Sequence, residues 1–325
     1  MATAIGTNAV TSLVRHYLMP EIVDNIYGDN PLTFRLLRAN KKLVQGGTQI
    51  EVPLMYKRTG VGGSYRGFDV FAVSPADTIK NAVHSWKQYV VPVAIDGLTL
   101  IQTDSPEAIA NFVQVQMQQA EMEMAELLAT GIWSNGTTDT KGITGLQAAI
   151  DDGTVAASYG GITRSSNTWW KSACDFSTGT MTLGALNTLF MSAQQGGKAP
   201  TIIVSRDDQY ARYWGLVQSK QTFFVQAGGH DEQLASAGFT NLLFNNVPWV
   251  TDSHVPDGTG SSNSEIYMLN EEYIDLCVSP RADFRLDDFQ KPHNQDAMVS
   301  NLYWAGELGV KNCARHAKAT DFDTV

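Results

Sequence analysis

The stretch YGGITRSSNTWWKS, from Tyr159 to Ser172, sets two adjacent tryptophans behind a pair of glycines in a segment rich in turn-forming residues. Large aromatics beside glycines need a packed platform to cover them, so this stretch speaks for architecture rather than for a catalytic cleft. The order of the segments around it carries the rest of the reading.

Upstream, GGTQIEVPLMYKRT (Gly46 to Thr59) alternates, with Thr48, Ile50, Val52 and Leu54 on one face and Gln49, Glu51 and Met55 on the other. That period of two predicts a strand with one buried face. Pro53 cannot donate to a ladder, so an edge or a bulge is expected there. The glycine-rich GVGGSYRG (Gly60 to Gly67) reads as a tip, and IKNAVHSWKQYVVPVAI (Ile79 to Ile95) leads the chain back. The result is a long two-stranded arm. Isolated hairpins are marginal in water, so the arm must dock, and a partner subunit is the natural surface.

The clearest helix runs from Ser105 to Thr130, with Asp104 or Ser105 as cap, Pro106 in the first turn, Glu107 closing a capping box and Gly131 as the stop. Ile109, Phe112, Val113, Gln116, Ala120, Met124 and Leu127 fall at spacings of three and four, which predicts one buried stripe. Its four charges are all acidic, and Glu121, Glu123 and Glu126 lie toward the end where the helix dipole disfavours them. Either a basic partner covers them or they stay hydrated.

Beyond Asn135 and Gly136, GITGLQAAI (Gly142 to Ile150) starts a second region that contains the tryptophan pair. APTIIVSRDDQYARYWGL (Ala199 to Leu216) reads as a buried strand, Thr201 to Val204, entering a helix through Ser205 and Asp207. NNVPWVTDSHVPDGTGSSNSEIYMLN then gives a strand, a polar loop from Asp257 to Ser264 and another strand, and the segment from Asn301 to Phe322 reads as a last strand rejoining the body.

At 325 residues with 43% hydrophobic content the chain has enough apolar material for one large or two small domains. The net charge of −10 argues against a sequence-independent grip on nucleic acid, which needs clustered cations. Residues 1 to 67 nevertheless hold eight Lys/Arg against four acids, a local +4 that leaves −14 elsewhere. Such segregation steers one part of a subunit onto the opposite part of a neighbour, or else marks a solvated basic end. Cys174, Cys277 and Cys313 form no CxxC pair, and no basic start with an apolar run and no membrane-length apolar stretch occurs.

Catalytic and ligand motifs are sparse. The six histidines (His16, His84, His230, His254, His293, His316) sit in separate contexts and no GxSxG elbow occurs. Cys313 and His316 have a metal-like separation, yet two ligands do not make a tetrahedral site. Gly60, Gly62 and Gly63 lack the following helix of a phosphate loop, and the pairs Asp151-Asp152 and Asp287-Asp288 read as solvated loop acids.

Taken in order, NPLTFRLLRANKKLVQGGTQIEVPL, the return SWKQYVVPVAIDG, the helix ending LLATGIW, then GLQAAI, YGGITRSSNTWWKS, TIIVSRDDQYARYWGL, FNNVPWVTDSHVP, IYMLNEEYIDL and NLYWAGELGV resemble the major capsid proteins of tailed bacteriophages. The resemblance covers nearly the whole chain. It implies an α+β, HK97-like capsid fold with an N-terminal arm (1–44), an extended β-hairpin loop (45–95), a peripheral domain with a spine helix (96–139), an axial domain (140–270) and C-terminal peripheral strands (271–325). Implied function is self-assembly into hexamers and pentamers of an icosahedral shell around double-stranded DNA, with no enzymatic activity, no cofactor and no metal. Implied partners are further copies of the chain, a separate scaffolding protein, a portal and decoration proteins, with the enclosed DNA bound without sequence preference and no membrane involved. The virion is the expected location, after assembly in the host cytoplasm. Arg15, Lys57, Arg58, Tyr65, Arg66, Phe68, Glu121, Glu123 and Glu126 are the expected subunit-interface residues, and Phe112, Trp169 and Trp170 the expected core. Lys57 also sits where some members crosslink, but no matched acceptor is identifiable. Two rival readings are a cargo-holding nanocompartment shell of the same fold, and a soluble α/β enzyme, which requires a deep pocket with perturbed titratable groups.

Overall fold

The computed structural model describes residues 30–70, 77–98, 106–176, 179–218, 242–258, 263–293, 295–320 and 322–323. The amino-terminal arm with Arg15, the helix caps Asp104 and Ser105, and the side chain of Ile109 lie outside the described residues. Chain order begins with helix α1 (Pro31–Ala39) and strand β1 (Lys41–Leu43), followed by the hairpin β2 (Gln49–Met55) and β3 (Ile79–Ser85), then β4 (Lys87–Asp96) and the long helix α2 (Pro106–Ile132). A second set comprises β5 (Ala173–Asp175), α3 (Leu183–Ala193), β6 (Ile202–Ser205), α4 (Asp207–Gln218), β7 (Leu242–Phe244), β8 (Val247–Thr251) and β9 (Ile266–Leu269). The chain ends through β10 (Ile274–Val278), β11 (Arg285–Leu286), β12 (Ala297–Val310) and β13 (Ala317–Ala319).

The 14-residue β12 organises the first sheet. Along one edge it pairs antiparallel with β4 from Ala297↔Asp96 to Gly306↔Lys87. Along the other it pairs first with β11 and then with β10, onto which β1 adds in parallel. Its first half alternates between buried and half-buried residues, whereas Ala305 to Val310 are all buried. That change of pattern marks where packing covers both faces of the strand. Helix α2 lies against β4 and buries Val113, Met117, Ala120, Met124 and Leu128.

A six-stranded sheet in the order β7-β8-β6-β9-β13-β5 forms the second layer, with its own core around Trp249, Phe190 and Tyr213. Its β7–β8 turn is made by Asn245 and Asn246, both in the left-handed region (φ 48° and 64°), the turn chemistry that suits a two-residue hairpin. Strand β13 comes from the far carboxyl-terminal end, so residues 317–319 belong to this sheet and not with the strands of 271–310.

Several sequence expectations change in detail. The returning strand is broken at Trp86: only β3 completes the hairpin, while β4 crosses into the first sheet. The projecting loop therefore spans β2 to β3, short of the 45–95 limits. Helix α2 continues through Gly131 to Ile132. Gly131 is needed there for close approach, since a Cβ would stand 2.6 Å from Tyr89 Oη. The buried stripe of α2 is rotated, with Met117 and Leu128 fully inside and Gln116 and Leu127 only half-buried beside Phe112. Glu121 lies inside with that stripe, 5% exposed, because the rotation turns its position toward the body of the subunit. Ser205 ends β6 rather than capping α4, and its Oγ accepts from Trp249 Nε1 at 2.8 Å.

The root of the hairpin is seated on the tryptophan segment of its own chain. Gly160 and Gly161 turn a short ribbon (158–159 with 162–163) through positive φ, and Val83 N donates to Gly160 O at 2.9 Å. A Cβ on Gly160 would come within 3.0 Å of Ala82 Cβ and 3.2 Å of the His84 ring. Glycine is thus required there twice, for the turn and for the approach of β3. Trp169 stacks on Tyr56 at 5.2 Å, and Lys80 Nζ donates to Asn167 Oδ1 at 2.8 Å. Trp170 is wholly buried and donates from Nε1 to Tyr159 O at 3.0 Å. Trp170→Ala should therefore cost about 3–5 kcal/mol in denaturant unfolding. Trp169→Ala, which empties only a half-buried stack, should cost clearly less; equal losses would contradict this division of roles.

Candidate assembly surface

From the seated root the hairpin reaches outward. Met55, Lys57, Arg58, Tyr65, Arg66, Phe68 and Val70 are all exposed. Arg66 and Asp69 close a small turn, with Arg66 N donating to Asp69 Oδ2 at 2.8 Å. The described tip thus presents three cations, one acid and several large apolar groups to solvent. Monomeric proteins rarely display so much apolar surface together, and such patches mark docking sites. Opposite in character, the outward face of α2 carries Val115, Met122, Glu123 and Glu126, all exposed.

Glu126 is already engaged within the subunit. Its Oε2 meets His254 Nε2 at 2.9 Å, while His254 Nδ1 lies 3.3 Å from Asp252 Oδ1 and Asp252 Oδ2 accepts from Trp133 Nε1 at 3.1 Å. Hydrogen bonding to Asp252, reinforced by Glu126, pushes His254 up to about 9, so it is held as a cation at neutral pH. This chain of contacts fastens the end of α2 to the loop after β8. Of the three helix acids expected at an interface, Glu123 is exposed, Glu126 is partly satisfied by His254, and Glu121 is internal.

Two open clefts flank these features. One of about 370 Å³ is lined by Tyr89, Glu126, Trp133, Asn135 and His254. The other, about 600 Å³, lies between the hairpin root and the body and is lined by Lys42, Met55, Tyr56, Trp169, Tyr273 and Lys311. Most strongly shifted groups lie away from both. Burial lowers His84 to about 4 and His316 to about 3, and raises Glu307 to about 7. Glu307 accepts from Thr144 N and Leu308 N, pinning the loop after α2 to β12. Burial likewise pushes Cys174 and Cys313 to about 12 and Cys277 to about 11, which keeps these thiols protonated and poor as nucleophiles or metal ligands.

The sequence reading missed a charged centre in the interior. Asp151, expected as a solvated loop acid, is fully buried, and its Oδ2 accepts from Gly153 N, Val155 N and Ala156 N at 2.8–3.0 Å. Around it stand Arg164, Lys318 and Glu265, each likewise fully buried. Arg164 Nη1 is 3.9 Å from Asp151 Oδ2, Lys318 Nζ is 3.4 Å from Asp151 Oδ1, and Lys318 Nζ is 3.9 Å from Glu265 Oε1. The sequence signal for this centre was faint: a lone lysine between small residues in HAKAT, far from its partners along the chain.

The arrangement of a seated hairpin, a long spine helix, a β12-centred sheet and a second sheet domain is the HK97-like capsid fold. Structural comparison bears this out. The cyanophage A-1(L) capsid asymmetric unit matches with TM-score 0.65 at 17% identity, over 87% of this chain and 90% of that one. The capsid of a native GTA particle matches with TM-score 0.58 at 12% identity, over 89% and 90%. The holo-SrpI encapsulin complex from Synechococcus elongatus matches with TM-score 0.58 at 11% identity, over 89% of each chain. No protein-family model matches the sequence, and no curated protein matches it. Among the described residues no helix is long and apolar enough to cross a membrane.

If the cationic tip steers docking, Arg58→Glu combined with Arg66→Glu should lower the assembled fraction severalfold in sedimentation while the melting temperature of the subunit stays unchanged, because both side chains are exposed. A normal assembled yield would refute the steering role.

Proposed function

We propose that this chain is a major capsid protein that self-assembles through hexamers and pentamers into an icosahedral shell enclosing a phage double-stranded DNA genome. The observation that carries this reading is the hairpin. Its root is satisfied by the chain's own Gly160 and Trp169, while Lys57, Arg58, Arg66 and Phe68 on its tip are exposed. A surface that is paid for in exposed apolar area needs a neighbour. Lys57, Arg58, Tyr65, Arg66 and Phe68 on the tip, together with Arg15, are the proposed contacts on one side. Glu123 and the outer part of Glu126 are proposed on the other.

The acidic balance of the chain suits a container wall that does not grip its contents, since like charge keeps DNA off the lining. A structural role with no catalytic activity follows in this reading, and the virion is the proposed location, reached after assembly in the host cytoplasm. A separate scaffolding protein, a portal and decoration proteins complete the proposed set of partners. A second reading, a nanocompartment shell that holds protein cargo, is favoured by one observation: the encapsulin likeness is as strong as that to the GTA capsid. Both readings require closed shells.

Electron microscopy of the purified chain, alone and with its candidate scaffold, together with light-scattering mass, separates these from a monomeric enzyme. Capsomer rings or closed shells are expected. A strictly monomeric species under both conditions would overturn the shell reading.

A further inference from the structure

Three fully buried polar atoms lack a hydrogen-bond partner and face one another: Lys318 Nζ, Asp151 Oδ1 and Glu265 Oε1. Leaving such groups without hydrogen bonds inside a protein is costly even where opposite charges stand within 4 Å, and each instance calls for a physical reason. The surroundings are organised around a single orientation. Asp151 Oδ2 is held by three backbone N–H donors with Arg164 behind it, which leaves only Oδ1 turned toward the amine. Glu265 is fixed by Tyr267, whose hydroxyl donates to Oε2, so Oε1 is the oxygen turned toward Lys318.

We propose that Lys318 and Asp151 condense into an intramolecular isopeptide bond, with Glu265 carrying the proton. A proton passes from the Lys318 ammonium to Asp151 Oδ1, giving a neutral amine and a carboxylic acid. The Nζ lone pair attacks Asp151 Cγ. Negative charge that develops on Oδ2 falls on the amide groups of Gly153, Val155 and Ala156, which are already aimed there and act as an oxyanion hole. Glu265 Oε1 takes one proton from the attacking nitrogen and returns it to Oδ1, which departs as water. Glu265 ends in its starting state, and the net change is amine plus acid to amide plus water, with no oxidant or cofactor.

Burial favours this role for Glu265, because desolvation raises its pKa and makes it able to hold a proton in transit. Fixed proximity supplies the rest, since holding two groups in contact replaces a bimolecular encounter. The product also resolves the unpaired atoms. The new amide N–H faces Glu265 Oε1, the amide oxygen keeps its three donors, and Oδ1 has left. Strand β13, which lies between β9 and β5, becomes covalently joined to the loop at 151 and can no longer detach from it.

The test is mass spectrometry of the full-length chain under denaturing conditions, followed by peptide mapping. The expected result is a chain lighter than its sequence by one water, with a branched peptide joining the Asp151 and Lys318 segments. Lys318→Met should restore the full mass, and Glu265→Gln should leave mostly unlinked chain. Wild-type chain at full mass with Lys318 in an ordinary linear peptide would overturn the proposal and reduce the trio to a buried ion pair. A link that forms unimpaired in Glu265→Gln would overturn the proton-carrier role. None of these readouts depends on shell assembly, so a chain that never assembles can still pass or fail the test.

Discussion

The buried guanidinium of Arg164 is the interaction on which the rest of the subunit depends. Its Nη2 donates to Ala148 O and Ala149 O, its Nη1 to Ala156 O and its Nε to Trp170 O, at 2.6–3.3 Å. Four carbonyls from three stretches of one irregular segment are thereby gathered on a single rigid fork, which suits arginine and no other side chain. With them held, the Tyr159–Trp170 region becomes a fixed surface, and that surface receives the hairpin root on one side and β12 on the other, through Tyr159 Oη to Leu308 O at 2.9 Å. Removing such a group leaves several buried acceptors unpaired, a far larger loss than a surface contact.

Much of this was legible in the sequence wherever periodicity reports burial directly. The alternation of Ile50, Val52 and Leu54 gave β2 with its buried face, and all three are buried. The three-and-four spacing gave α2 within a few residues, and the order of segments gave the fold. What escaped was set by contacts remote in the chain. The phase of α2 follows from its packing on β4, so Glu121 turned inward although its place near the helix end had grouped it with Glu123 and Glu126. The crossing of β4 from the hairpin into the sheet depends on ten residues of pairing with β12, more than two hundred positions away. Asp151 looked like a loop acid because nothing local announces Lys318 or Arg164 beside it.

Charge is used in two separate ways in the molecule. In the interior, Asp151, Glu265, Lys318 and Arg164 are balanced in sign and dry, so their energetics turn on geometry and desolvation rather than on salt. On the surface, the cations of the hairpin tip and the acids of α2 stand apart, in water, where they are screened and individually weak. Surface charges of this kind govern orientation and rate of encounter more than final affinity. The exposed apolar groups of the loop, Met55, Tyr65, Phe68 and Val70, offer the larger source of binding energy to any neighbour that removes them from water.

The chain's own tryptophan segment seats the root of the hairpin and leaves its tip exposed. Hydrogen exchange on the free subunit and on the assembled particle tests it most directly, because each amide reports its own protection. Slow exchange is expected for the paired amides of β2 and β3 between Ile50 and Leu54 and between Ala82 and His84 in both states, with residues 57–70 fast in the free subunit and protected only after assembly. Fast exchange at the root in the free subunit, or an unprotected tip in the assembled particle, would contradict it.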